Sequence, residues 1–228
     1  MPHTNIAVLL LFASPYTDLR MVVLFDLDGT LVDSFALIVE AFRHACRTVL
    51  GREATREEVL AHWGKPLRAR FAPLGPDRVE LLLQAYTRYY TANLHRVRPF
   101  PRVPEMLAEL RRRGIRIGVV TSKRGSTTED TLQGAGLRPL VDAVTTADDV
   151  RDPKPAPDPI LLALHRFRAL PKDAWMVGDG PFDVEAGRAA GVRTIAALWG
   201  TREQDALLAS RPDYAAETPD DVVRVVVG

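Results

Sequence analysis

The stretch VVLFDLDGTLVDS, residues 22–34, decides how the rest of the chain is read. Val22 to Phe25 form an apolar run without alternation, the pattern of a strand covered on both faces, as in a parallel sheet. The run ends on Asp26, Leu27, Asp28, Gly29 and Thr30. Two carboxylates so close at the end of a buried strand repel each other unless a counter-charge stands beside them. The remaining sequence has to supply it.

Further segments carry the same strand pattern: IRIGVVT at 115–121, WMVGD at 175–179 and TIAALW at 194–199, with shorter candidates AVTTAD at 143–148 and DYAA at 213–216. Helical patterns separate them. VPEMLAELRRRG has apolar residues at 103, 106, 107 and 110, then Arg111, Arg112 and Arg113 ahead of Gly114, the charge and stop signal of a helix end. DPILLALHRF and DVEAGRAAG read similarly. Strand and helix alternating from residue 99 onward predict an α/β fold with a parallel sheet. Residues 35–98 break the rhythm. FALIVEAFRHACRTVLG, REEVLAHWGKPL and RVELLLQAYTRYYTANL all read as amphipathic helices with no good strand between them. Ligands of open α/β sheets bind beyond the carboxyl ends of the strands, so an insert leaving from there stands over the site as a cap. The expected organisation is an N-terminal extension over 1–20, a core from 21–34 and 99–228, and a helical cap over 35–98.

The chain has 228 residues, and its 30 basic and 29 acidic residues leave a formal net charge of +1. No block of one sign points to a nucleic-acid or membrane-surface partner. The single Cys46 rules out an internal disulfide and fits a reducing compartment, so a cytoplasmic location is expected. The apolar run within NIAVLLLFASP, residues 5–15, is only about eight residues long, too short to span a bilayer. It lacks a preceding Lys or Arg of the kind a secretory signal carries.

Polar residues gather where the strands end. Asp26 and Asp28 follow the first strand; Thr121, Ser122 and Lys123 follow a second; Lys154 sits in DPKPAP past a third; Asp179 and Asp183 sit in GDGPFD past a fourth. The four carboxylates make an oxygen-rich site that selects a hard cation, and carboxylates with waters and a substrate phosphate suit Mg²⁺. Lys154 offers a fixed cation, Thr121 a hydroxyl donor, and the backbone N–H groups near Gly29 and Thr30 a candidate anion nest. Together these are what the equatorial oxygens of a transferring phosphoryl group require, and a carboxylate beside them can act as nucleophile. An Asp after a strand also serves as a helix cap, so Asp183 has a second reading as an N-cap, as do Asp33 and Ser34; Ser122 is open between ligand contact and turn.

FDLDGTLVDS, VVTSK, DPKPAPDP and VGDGPFDVEAGRAAG resemble the four motifs of the haloacid dehalogenase superfamily, and the likeness runs from residue 22 to about 216. The helical insert resembles that of its phosphatase-like members with a small helical cap. The resemblance implies a Rossmann-like core and a Mg²⁺-dependent phosphatase. Asp26 would be the nucleophile that becomes a phospho-aspartate, and Asp28 the general acid and then the base. Thr121 and Lys154 would hold the phosphoryl oxygens. Mg²⁺ would be bound by Asp26, the backbone carbonyl of Asp28 and Asp179, with Asp183 a second-shell or water-mediated partner.

Lysine usage adds a separate hint. Only Lys65, Lys123, Lys154 and Lys172 are Lys among the 30 basic residues. Lys and Arg are not equivalent in a tight site. Lys123 and Lys154 fall in motif positions, and Lys65, in WGKPL, is therefore the expected substrate contact of the cap. His44, His62, His95 and His165 have no partners at ligand spacing; Tyr86, Tyr89 and Tyr90 read as packing, and Trp63 as a hinge contact between cap and core. The expected substrate is a small phosphorylated metabolite, phosphoglycolate-like, acted on by a monomer or homodimer. The alternatives are an inorganic pyrophosphatase of the same family and a phosphomutase resembling β-phosphoglucomutase. Dehalogenation is disfavoured because a leaving halide needs no proton from a second carboxylate such as Asp28. A non-catalytic protein on this fold is disfavoured because every catalytic position is filled.

Overall fold

The computed structural model describes residues 21–61 and 64–228. The N-terminal run, His62 and Trp63 lie outside the described residues. In chain order β1 (Val22–Phe25) and β2 (Val32–Asp33) are followed by α1 (Phe35–Leu50), α2 (Arg56–Leu60), α3 (Leu67–Phe71), α4 (Val79–Ala92) and β3 (Arg98–Pro99). The chain then alternates through α5 (Val103–Arg112), β4 (Arg116–Val120), α6 (Gly125–Gly134), β5 (Ala143–Thr145), α7 (Asp158–Phe167), β6 (Ala174–Gly178), α8 (Pro181–Ala190), β7 (Arg193–Ala197), α9 (Gln204–Ala209), β8 (Tyr214–Ala216) and α10 (Pro219–Val227).

β1 lies mid-sheet, parallel to β4 on one side and β6 on the other, with Phe25 opposite Val119 and Val177. The six-stranded sheet runs β5-β4-β1-β6-β7-β8, every pairing parallel. The apolar run of β1 is explained by its two covered faces. Val23 and Phe25 pack into one core with Met106, Leu107, Leu110 and Val222; Val22 and Leu24 pack into the other with Ile160, Leu164 and Ala186. This is the parallel α/β core expected from the alternation, and it is Rossmann-like as the family resemblance implied. Because all the strands point one way, the loops after β1, β4, β5, β6 and β7 emerge on a single edge.

The short antiparallel ribbon of β2 and β3, Val32 opposite Pro99 and Asp33 opposite Arg98, carries the chain out to α1–α4 and back. α1 packs on α4. Leu37, Ile38, Ala41, Phe42, Ala45 and Cys46 on one face meet the face bearing Leu82, Leu83, Tyr86 and Tyr90. Burying a ring such as Phe42 or Phe71 completely is worth about 1.5–3 kcal/mol, which holds these helices together without a sheet.

REEVLAHWGKPL is not one helix. α2 opens on a Thr55–Glu58 capping box and stops at Leu60; Ala61 leaves the helical region, and Gly64 has φ 83°. Pro66 then precedes α3, and the residue before a proline is kept out of the helical region, so chain chemistry ends the helix that periodicity alone would continue. His95 sits in a 3₁₀ turn, Leu94–Arg96, at the foot of α4. Among the described residues no helix is long and apolar enough to cross a membrane.

Candidate active site

The backbone ladder of the sheet continues one residue past each central strand. The Asp26 N–H donates to the Val177 carbonyl at 2.9 Å, and the Thr121 N–H to the Thr145 carbonyl at 3.0 Å. Asp26 is therefore fixed by the sheet itself. Its Oδ1 accepts a bond of 2.9 Å from Lys154 Nζ, which also donates to Asp183 Oδ1 at 2.6 Å and to the Val120 carbonyl at 3.0 Å. An ammonium has three N–H groups, and here all three have acceptors. Burial works against the charge on Lys154, but Asp183 and Asp26 hold its pKa above the usual lysine range. The predicted fixed cation is in place.

Asp28 has its own lysine. Lys123 Nζ lies 3.1 and 3.0 Å from the two Asp28 oxygens, and the Ser34 hydroxyl donates to Oδ1 at 2.6 Å. The two carboxylates that open the motif are thus paired separately, Asp26 with Lys154 and Asp28 with Lys123. Ser34 occupies the N-cap position of α1 but makes no capping bond with its side chain. Its hydroxyl is committed to Asp28, which corrects the reading of Ser34 as a simple cap. Asp183 is the third residue of α8, and the N-cap is Gly180. Its Oδ2 accepts from the Gly180 N–H at 3.1 Å while Oδ1 holds Lys154, so the N-cap reading of Asp183 is corrected: the helix starts two residues earlier, and the carboxylate closes its first turn while facing the site.

The anion nest expected at Gly29 and Thr30 is not formed. The Gly29 N–H donates to the Val32 carbonyl at 3.0 Å and the Thr30 N–H to the Leu27 carbonyl at 3.4 Å, because the turn that leads into β2 consumes both. These residues position a carboxylate instead. The Thr30 hydroxyl donates to Asp179 Oδ1 at 3.0 Å. Gly29 has φ 91°, and a Cβ there would lie 2.2 Å from Asp179 Oδ2, so only glycine lets the loop close over that acid.

These groups line a cleft of about 750 Å³ between the sheet edge and α1–α4. Asp26, Asp28, Gly29, Thr121, Ser122, Lys154, Asp179, Asp183 and the half-buried Lys65 all reach it. Ser122 Oγ is buried without a hydrogen-bond partner, which favours the ligand-contact reading of this residue over the turn. Thr30 does not line the cleft, in keeping with its bond to Asp179. Sequence reasoning missed Arg124, Arg151 and Arg202 on the core side of the cleft. In a chain with so many arginines, no local signal marks out these three.

Asp26, Asp179 and Asp183 can each present an oxygen within 4.8 Å of the others. Burial above all, then Asp183 and Asp28, push Asp26 up to about 6 against the pull of Lys154. Burial, Asp26 and Asp183 raise Asp179 well above the ordinary carboxylate range. One ammonium does not neutralise three clustered acids, one buried and two half-buried, so this donor set fits a hard divalent cation. The Asp28 carboxylate faces Lys123 instead, which leaves only its backbone oxygen for a metal.

Residues 23–197 match the model of the haloacid dehalogenase-like hydrolase family. The chain belongs to the haloacid dehalogenase-like hydrolases. It is 35% identical over 206 residues to the pyrophosphatase PpaX of Bacillus pumilus, covering 90% of this chain and 95% of that one. The PpaX of Bacillus velezensis is 35% identical over 211 residues, 92% and 98% of the two chains. Among solved structures, a haloacid dehalogenase-like family hydrolase from Streptococcus pneumoniae superposes with TM-score 0.78 at 31% identity, over 91% of this chain and 98% of that one. A predicted phosphoglycolate phosphatase from Haemophilus somnus gives TM-score 0.81 at 24% identity, over 91% and 98%, a likeness of fold alone.

Within this hydrolase, the pairing of Lys123 with Asp28 had been visible in the sequence only as one of four lysines in a motif position. Nothing in VVTSK says which acid the lysine would meet. The loop after β7 is a further contributor. Trp199 Nε1 donates to the Thr30 carbonyl at 3.0 Å, and Trp199–Glu203 line the cleft, so a fifth strand end serves the site.

Proposed function

We propose that the chain is a Mg²⁺-dependent phosphohydrolase working through a phospho-aspartate on Asp26, with inorganic pyrophosphate as its foremost substrate. The observation that carries the reading is the tripod of Lys154 on Asp26, Asp183 and the Val120 carbonyl. It fixes a nucleophile and a phosphate-neutralising cation within one hydrogen bond of each other. Asp26, the Asp28 carbonyl and Asp179 would hold the cation, with Asp183 behind them. Mg²⁺ so placed would supply charge neutralisation for the phosphoryl oxygens.

An Asp26 oxygen attacks phosphorus and the bridging P–O bond breaks, its electron pair leaving with the departing phosphate, or alkoxide in a monoester. Asp28 gives that oxygen a proton where it needs one. Water then attacks the phospho-aspartate, Asp28 taking its proton, and the Asp26–P bond breaks to restore the carboxylate. The Thr121 and Ser122 hydroxyls hold the phosphoryl oxygens, and Lys154 neutralises them through its charge. α1–α4 act as the cap, closing the cleft against bulk water.

Pyrophosphate takes precedence over the phosphoglycolate-like monoester expected from sequence for two reasons. Relatives at 35% identity over nine-tenths of the chain carry the name pyrophosphatase. Lys65, Arg151 and Arg202 also add cations around the cleft beyond those that one phosphoryl group requires, whereas Arg124 is paired with Asp148. The test is phosphate release with Mg²⁺ from pyrophosphate, phosphoglycolate, sugar phosphates and nucleotides, ranked by kcat/KM. Pyrophosphate is expected to lead. A monoester ahead of it would return the substrate to the phosphoglycolate class, and an isomerised sugar phosphate without phosphate release would indicate a mutase.

A further inference from the structure

Lys123 does more than balance Asp28. Its Nζ also donates to the Tyr90 hydroxyl at 2.8 Å and stands 4.0 Å from the centre of that ring. Tyr90 belongs to the last turns of α4, whereas Lys123 and Asp28 lie in the loops after β4 and β1. One ammonium therefore joins the helical insert to a reacting carboxylate. The contact is internal: Tyr90 is fully buried and the Lys123 side chain is 9% exposed.

Tyr90 in turn is not free to adjust by itself. Its ring stacks on Tyr86 at 5.8 Å and 11°, Tyr86 meets Phe71 edge-on at 6.2 Å and 73°, and Phe71 stacks on Phe42 at 4.5 Å and 21°. The column ties α1, α3 and α4 together, and Tyr86 itself lines the cleft. Close-packed rings move as a body rather than one at a time. A shift of the insert over the sheet edge must carry the Tyr90 hydroxyl with it and change what Lys123 holds.

We propose that Lys123 and Tyr90 are positioning residues, a strap through which the placement of α1–α4 sets the placement of the Asp28 carboxylate. Lys123 acts on Asp28 directly; Tyr90 acts through Lys123 and, more weakly, through Ser34, which it also faces and whose hydroxyl donates to Asp28. This rests on the reading of Asp28 as the proton-transferring group. Lys123 alone would suffice to neutralise Asp28; the tyrosine hydroxyl on the moving side is the part that neutralisation does not explain.

A double-mutant cycle tests it, with Mg²⁺ and both pyrophosphate and p-nitrophenyl phosphate as substrates. Tyr90→Phe keeps the ring and removes the hydroxyl; kcat is expected to fall about 3- to 10-fold with KM unchanged. Lys123→Met is expected to lower kcat about 10- to 100-fold, again with KM unchanged. In the Lys123→Met background, Tyr90→Phe should have a clearly smaller effect than in the wild type. Effects that multiply would overturn the proposal, as would a rise in KM at constant kcat, which would make Lys123 a substrate ligand. Should Lys123→Met fail to fold, Tyr90→Phe decides alone, and an unchanged kcat overturns the strap. A wild-type chain that releases phosphate from neither compound defeats the functional reading first; an active chain with multiplying variants defeats only the strap.

Discussion

A Cβ atom on Gly200 would stand 1.7 Å from the carbonyl oxygen of Gly29. The loop after β7 is thus pressed against the turn that follows β1, and Trp199 bonds the neighbouring Thr30 carbonyl. Gly200→Ala must push the two apart, and overpacking of this kind costs about 1–3 kcal/mol. The turn it displaces lies between Asp26 and the Thr30 hydroxyl that holds Asp179. Gly200→Ala is expected to lower Tm by roughly 2–10 °C in a thermal melt and to reduce kcat more than it raises KM. An unaltered melt with unaltered kinetics would show that the two loops are not in contact.

Asp26→Asn keeps the size of the side chain and removes the proposed nucleophile. The amide can still accept one bond from Lys154, so the fold is expected to survive. Turnover should fall to background, and no covalent phosphate should be trapped on acid quenching, whereas the wild type should yield a labelled chain with ³²P-labelled substrate. Retained phosphate release by Asp26→Asn would reject the mechanism.

The parts of the fold that depend on periodicity were legible from the sequence. The four apolar positions of VPEMLAELRRRG are the four buried residues of α5, and VVLF is a central strand because both its faces are covered. What was hidden depends on which side chain meets which across the fold. The break between α2 and α3 could have been read from Gly64 and Pro66. The spent N–H groups of Gly29 and Thr30 could not, since the turn into β2 sets their acceptors, the Val32 and Leu27 carbonyls. Lys123 on Asp28 joins residues 95 apart in the chain, and only the sheet order brings them together.

Cys46 is fully buried in α1, and burial pushes its thiol up to about 11. A raised pKa keeps the folded thiol protonated, so the stability it contributes is complete below the ordinary cysteine range and is lost as pH rises toward 11. At pH 8 a disulfide reagent such as DTNB should label Cys46 no faster than the chain unfolds, and at once in denaturant. Rapid labelling of the native chain would show that α1 opens locally.

Lys65 follows Gly64 in the segment between α2 and α3 and lines the cleft half-buried. It faces the cleft from the helical insert, whereas Asp26, Asp28, Lys154 and Asp179 face it from the sheet edge. Removing a charge that binds substrate and transition state alike raises KM and spares kcat. Lys65→Ala is therefore expected to raise KM for pyrophosphate about 10-fold or more, in line with the loss of one charge-assisted hydrogen bond. Unchanged KM and kcat would remove Lys65 from the site.

The raised pKa of Asp26 sets the sign of the Mg²⁺ effect. Between about 4 and 6 the folded chain keeps a proton on Asp26 that the unfolded chain gives up, so protonation stabilises the fold there and that contribution is lost as pH rises through about 6. Above this range Asp26 and its neighbours repel one another unless a cation lies between them, and below it the cation must displace a proton. Adding Mg²⁺ should therefore raise Tm little at pH 5 and clearly at pH 7.5, where a concentration of 100 times Kd is worth about 2.7 kcal/mol. Asp179→Asn should abolish the Mg²⁺ shift at both pH values while the chain still melts cooperatively, and chelation with EDTA should stop phosphate release. A Mg²⁺ shift that is equal at pH 5 and 7.5, or that survives in Asp179→Asn, would place the metal away from these carboxylates.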